Sequence, residues 1–109
     1  NFKNKVIQVN EGETDLTLKE LTAVRLIKND FYNQIQNAYN ENATYEELRQ
    51  LLGKGRAKKG MFEGDLVNGE LEIGQVSAIL NEILSVSDIM SQLIKGFENA
   101  SKGVLSYKL

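Results

Sequence analysis

Apolar residues recur at helical spacing along the C-terminal half of this chain, in numbers that 109 residues cannot easily hide. Ile73, Val76, Ile79, Leu80, Ile83 and Leu84 make one wide stripe. Val86, Ile89, Met90, Leu93, Ile94 and Phe97 make a second. The spacing predicts one helix over residues 73–84 and a last helix started by Ser85-Val86-Ser87-Asp88. A stripe of this kind ordinarily faces a core. Several wide stripes on short helices, however, exceed what one small unit closes over itself. Part of this apolar face is therefore expected to lie against another domain.

Upstream, Phe2, Val6 and Ile7 fit the last turns of a helix over residues 2–9, which Glu11-Gly12-Glu13-Thr14 breaks. Leu16 and Leu18 alternate with Thr17 and Lys19, and Val24 alternates with Leu26, so two short strands are predicted. Asn29 is placed to cap a helix with Phe31, Tyr32, Ile35, Ala38 and Tyr39 on one face. Thr44-Tyr45-Glu46-Glu47 has the form of a capping box, and its helix turns Tyr45, Leu48, Leu51 and Leu52 inward before Gly53 stops it. Lys102 to Leu109 reads as a frayed end. The chain opens at Asn1 without Met and runs straight into a helical tail, so a piece of a longer chain is expected.

The zeros in the composition exclude more than the totals do. His is absent, which removes the commonest general base and the commonest zinc ligand. Cys is absent, so there is no disulfide or thiolate chemistry, which fits a reducing, cytoplasmic compartment. A net charge of −2 supplies no field for nucleic acid, and no apolar run is long enough to span a bilayer. No metal-ligand set is present.

The stretch Gly53 to Asp65, GKGRAKKGMFEGD, looks like a phosphate loop and fails both tests for one. Gly55 and Gly60 have Walker-type spacing, but Met61 and Phe62 stand where Lys and Ser/Thr are needed. A dinucleotide fingerprint fails because Lys58 stands in place of its third Gly, after a helix rather than a strand. Lys54, Arg56, Lys58 and Lys59 then form either a solvated face at a helix end or a contact for a phosphate or an acidic partner. The pairs Glu63/Asp65 and Glu70/Glu72 lack the surroundings of an acid/base pair.

LTLKELTAVRLIKNDF followed by YEELRQLLGKGRAKKGMFEGDLVNGELEIGQVSAILNEI resembles the C-terminal part of the FMN-dependent nitronate monooxygenases (2-nitropropane dioxygenases). Their FMN-dependent enoyl-acyl-carrier-protein reductase relatives share the pattern. Gly60 to Asp65 with the second turn at Gly69, and Gly74-Gln75-Val76-Ser77, carry it best. Ala23 and Ser85 depart from it, standing where relatives often have Pro.

The resemblance implies a mostly α chain with a short two-stranded β element, the C-terminal substrate-covering domain of an FMN-binding (β/α)8 barrel enzyme with the barrel strands absent. Residues 1–10 would end the last barrel helix, 11–72 form the covering domain, and 73–109 return to pack on the barrel. The active-site His and the FMN phosphate loops would lie upstream, leaving no catalytic residue here and an inactive chain when alone. Gly74, Gln75 and Ser77 would reach the cofactor edge; Met61, Phe62, Glu63 and Gly64 would line the substrate pocket. Gly74-Gln75 as the mere start of a packed helix is the competing reading. The implied function is oxidation of alkyl nitronates with O2. NAD(P)H-dependent enoyl-thioester reduction is the alternative, with NAD(P)H as a second cofactor. Implied partners are the barrel and a small-molecule substrate, with neither nucleic acid nor membrane; a homo-oligomer is compatible. The rival from another class is a stand-alone helical interaction module without catalysis.

Overall fold

Two four-residue strands, β1 (Thr14–Thr17) and β2 (Val24–Ile27), pair antiparallel with Thr14 opposite Ile27 and Thr17 opposite Val24. The computed structural model describes residues 1–107. The expected alternation fails in β1: Leu16 is outside, while Thr17 and Leu18 are both buried. The reason is local. Leu18 sits at φ 54, and this left-handed residue turns the chain at the strand end and drops its side chain inward. That conformation costs a non-glycine residue roughly 1–2 kcal/mol, which burying a leucine, worth about 1.5–3 kcal/mol, offsets.

On the far side of β2 the returning chain adds one rung. Ile27 N–H donates to the Leu71 carbonyl at 3.0 Å and Ile73 N–H to the Arg25 carbonyl at 3.0 Å. One face of this small sheet carries Leu18 and Leu26 against Phe31, Tyr32 and Ile35 of α2 (Asp30–Asn40). Leu51 and Leu52 of α3 (Tyr45–Leu52) pack on that cluster. The other face holds Val9, Ile27 and Leu71, with Phe2 and Val6 of α1 (Phe2–Val6) against them.

Both expected caps are present. The Asn29 side chain accepts from Tyr32 N–H at 3.0 Å. Thr44 N–H donates to Glu47 Oε2 at 2.7 Å while Glu47 N–H donates to Thr44 Oγ1 at 3.4 Å. Tyr45 is the exception: as the first residue of α3 it stands beyond the core's edge and is exposed, not inward.

After Ile73 the expectation of a helix over residues 73–84 is overturned. Only a five-residue 3-10 turn, Gln75–Ile79, forms, and residues 80–85 run on without helix. Val76, Ile79, Leu80 and Ile83 are exposed, so their 3.6-residue spacing marks an outward face rather than a helix packed on this chain's core. Ser85 then caps α5 (Val86–Leu105), its side chain accepting from Asp88 N–H at 3.1 Å. The frayed end expected from Lys102 is helical to Leu105; of that expected end, Lys108 and Leu109 lie outside the described residues. No residue of α5 is buried.

The long dimension is 58 Å and the radius of gyration 18.5 Å, against about 13 Å for a closed domain of 100 residues. The chain exposes 8027 Å², where a closed protein of its mass exposes roughly 6,100 Å². Among the described residues, no helix is long and apolar enough to cross a membrane.

Candidate functional site

The glycine-rich stretch is not one loop. Gly53, at φ 65, ends α3; Gly55, at φ 73, opens a six-residue helix, α4 (Arg56–Met61). The chain then folds back so that Gly69 lies against Gly60, close enough that a Cβ on Gly69 would sit 2.2 Å from the Gly60 Cα. This crossing admits only glycine. Between the two lies a loop with Met61 half-buried, Gly64 at φ 82 against the Asn1 side chain, and Phe62 82% exposed at the turn.

Most of the cations that suggested an anion contact are engaged. Lys58 pairs with Glu63 at 3.5 Å and Lys59 with Asp65 at 3.0 Å. Arg56 is turned inward: its Nε, Nη2 and Nη1 donate to the carbonyls of Leu52, Leu51 and Asn68, each at 2.9 Å. Its guanidinium also lies 4.4 Å from the centroid of the Phe31 ring. The solvated-face reading therefore fits Lys58 and Lys59, and Arg56 belongs to neither alternative. Periodicity carries no signal for such a role, nor for Asn29, whose amide donates to the Leu66 and Gly69 carbonyls at 3.0 and 2.9 Å.

The carboxylates divide in the same way. Asp65 accepts from the N–H groups of Asn68 and Val67 and faces Lys59; these, the Asn68 bond first, hold it down at about 2. Glu70 is buried, and desolvation, then the neighbouring Glu72, raises its pKa while Arg56 works against the shift. Neither arrangement is an acid/base pair. Among the described residues no group of His, Cys, Asp or Glu could hold a metal.

Of the residues assigned to the cofactor edge, Gly74 and Gln75 are exposed at the start of the 3-10 turn. Ser77 is 1% exposed and its hydroxyl has no hydrogen-bond partner. Beyond this turn a groove of about 270 Å³ runs between α1 and the 80–89 segment, lined by Phe2, Val6, Ile7, Leu80, Ile83 and Ile89 among others.

No protein-family model matches the sequence, and no curated protein matches it. The fold is nevertheless a known one: a mostly helical unit with a two-stranded antiparallel sheet that recurs as part of a larger protein. That protein is FabK from Thermotoga maritima, to which this chain is similar with a TM-score of 0.80 and 24% identity over 98% of its length. A point mutant of the same protein gives a TM-score of 0.74 at 21% identity, also over 98%. The match occupies 34% and 30% of those chains, so this chain spans about a third of them.

Proposed function

We propose that this chain is the substrate-covering part of an FMN-dependent oxidoreductase and packs on a flavin-binding β/α barrel. The observation that carries this is the fit of nearly the whole chain to one third of FabK, with its apolar flank bare. The area in excess of a closed protein, roughly 1,900 Å², surpasses what one partner buries in a standard interface, about 800 Å². The shape of the face favours a sheet with flanking helices as its cover. Asp88, Lys95, Glu98 and Lys102 share one narrow side of α5, and the exposed Ile89 and Ile94 widen the stripe around Met90, Leu93 and Phe97. A two-helix seam is narrower and is usually bordered by charges.

The chain by itself offers an edge for FMN and no cradle. The glycine-rich stretch keeps Arg56, Lys58 and Lys59 for itself, while Gly74 and Gln75 present backbone and amide groups outward. FMN supplies the redox chemistry when bound. Gln75 would orient it, and Met61, Phe62, Glu63 and Gly64 would line the substrate side and exclude water. Ser77 is buried, and its backbone, accepting from Leu80 N–H and donating to the Gly74 carbonyl, holds the turn that presents Gly74 and Gln75.

Nitronate oxidation with O2 follows from the sequence resemblance, in which the two chemistries share one pattern. Reduction of an enoyl thioester by NAD(P)H is the second reading, favoured by FabK being among the solved proteins that share this fold. The test is the complete protein that contains this chain. It should be yellow, release FMN on denaturation, and turn over either ethyl nitronate under O2 or a crotonyl thioester with NAD(P)H. A complete protein that binds no FMN overturns the proposal.

A further inference from the structure

We propose that Arg56 is the positioning residue for the Met61–Gly64 tip, holding that tip at a fixed place relative to the helical body; its bearing on substrate rests on the function proposed above. The 60–69 loop sets its own shape through the Asp65 carboxylate on the Val67 and Asn68 N–H groups and through the Gly60–Gly69 crossing. Those contacts say nothing about where the loop sits. Its place is set by links to the body, and Arg56 gathers several of them at one group. The guanidinium closes the last carbonyls of α3, Leu51 and Leu52, lies over the Phe31 ring of α2, and reaches the Asn68 carbonyl. Its own carbonyl accepts from Glu70 N–H at 3.1 Å.

Three segments thus meet on one side chain rooted at the start of α4: the end of α3, the start of α2 and the far limb of the loop. A planar fork can serve three carbonyls and a ring face together; a lysine ammonium cannot. Helix ends leave their last carbonyls without partners, so the same group that caps α3 carries the loop. The exposed Phe62 lies just beyond the α4 that Arg56 begins, and any slack at Arg56 is felt at the tip.

The experiment compares Arg56→Lys with the wild type in the complete protein, with Phe31→Leu as a second variant that keeps the core filled and removes the ring. Amide hydrogen exchange at Gly69 and Glu70 should quicken by about tenfold, the effect of losing charge-assisted bonds from a local opening unit. Exchange at Ile35 and Leu48 in the body should hold. KM for ethyl nitronate or a crotonyl thioester should rise several-fold, with kcat nearly constant and the flavin spectrum unmoved. Phe31→Leu should move the same readouts in the same direction by less. Unchanged exchange at Gly69 and Glu70, or equal acceleration at Ile35 and Leu48, overturns the positioning role. Faster loop exchange with an unmoved KM leaves Arg56 as the clasp and overturns the placement of the tip at the substrate.

Discussion

Residues 14–73 and residues 74–107 obey opposite rules. In the first region two strands and two capped helices bury Leu18, Leu26, Phe31, Ile35 and Leu48 to 1% exposure or less. In the second, a helix of 20 residues carries as rich an apolar stripe and buries none of it. The sequence motif is the same, amphipathic periodicity, and its meaning differs with what stands opposite. Apolar spacing reports that a helix has an apolar face; it does not say what, if anything, in this chain lies against it.

The largest expected difference between the regions comes from equivalent truncations. Phe31→Ala should cost about 3–5 kcal/mol, because a fully buried ring leaves a cavity. Phe97→Ala, on the bare flank, should change the stability of this 109-residue chain by no more than about 0.5 kcal/mol. Urea unfolding of both variants measures this. In a complete protein whose barrel covers α5, Phe97→Ala should approach the cost of Phe31→Ala; if it stays neutral there, α5 does not dock.

Glycine substitutions sharpen the contrast by reversing sign. Gly69→Ala forces a Cβ 2.4 Å from the Asp65 carbonyl oxygen as well as against Gly60, and should destabilise by about 3 kcal/mol, the upper end of overpacking. Gly103→Ala in α5 meets nothing within 4 Å and should stabilise this chain by about 1 kcal/mol. Thermal unfolding followed by circular dichroism separates the two. A loss on Gly103→Ala in the complete protein would reveal a backbone packed against that position.

The caps give the next, smaller pair. Thr44→Ala and Ser85→Ala each remove a side-chain acceptor at a helix start, worth about 1 kcal/mol. Thr44 caps a helix that packs on the core, so its loss should lower the stability of the body. Ser85 caps one that does not, so its loss should reduce helical signal from α5 and leave the unfolding midpoint of the body in place.

These same elements show what could be read from sequence. Asn29, the Thr44–Glu47 box and Ser85 were legible because a cap is a bond between residues three apart, complete within its own segment. Leu16 and Leu18 misled because one left-handed residue, chosen by the core around it, breaks the period of two. The 73–84 stripe misled for a different reason: its spacing belongs to an outward face, and the helical period was borrowed for a turn and an extended strap. At the candidate site, the Gly60–Gly69 crossing and the Arg56 clasp join residues through tertiary geometry, with no local pattern to announce them. The tip residues Met61 to Gly64 and the Gly74-Gln75 turn came from resemblance alone.

The smallest effect lies in acid titration of the body, and its two carboxylates act in opposite directions. Asp65 is held down from its ordinary 3.8 to about 2 by the Asn68 and Lys59 contacts. Its contribution is therefore present above pH 3.8 and is lost as the pH falls toward 2, where the folded carboxylate takes up its proton. Glu70 is raised above 4.5 by burial, so the folded state holds its proton more tightly than the unfolded chain does. Its contribution is present below 4.5 and disappears as the pH climbs through the raised value. Asp65→Asn should accordingly flatten the acid limb of a stability–pH curve, and Glu70→Gln should remove the decline above 4.5. Urea midpoints across the acid range check both. Because the flank from Gly74 to Tyr107 supplies neither group's partners, truncating α5 should leave both limbs where they are. A shift of either limb on truncation would mean that the arm and the body are coupled even without a partner to join them.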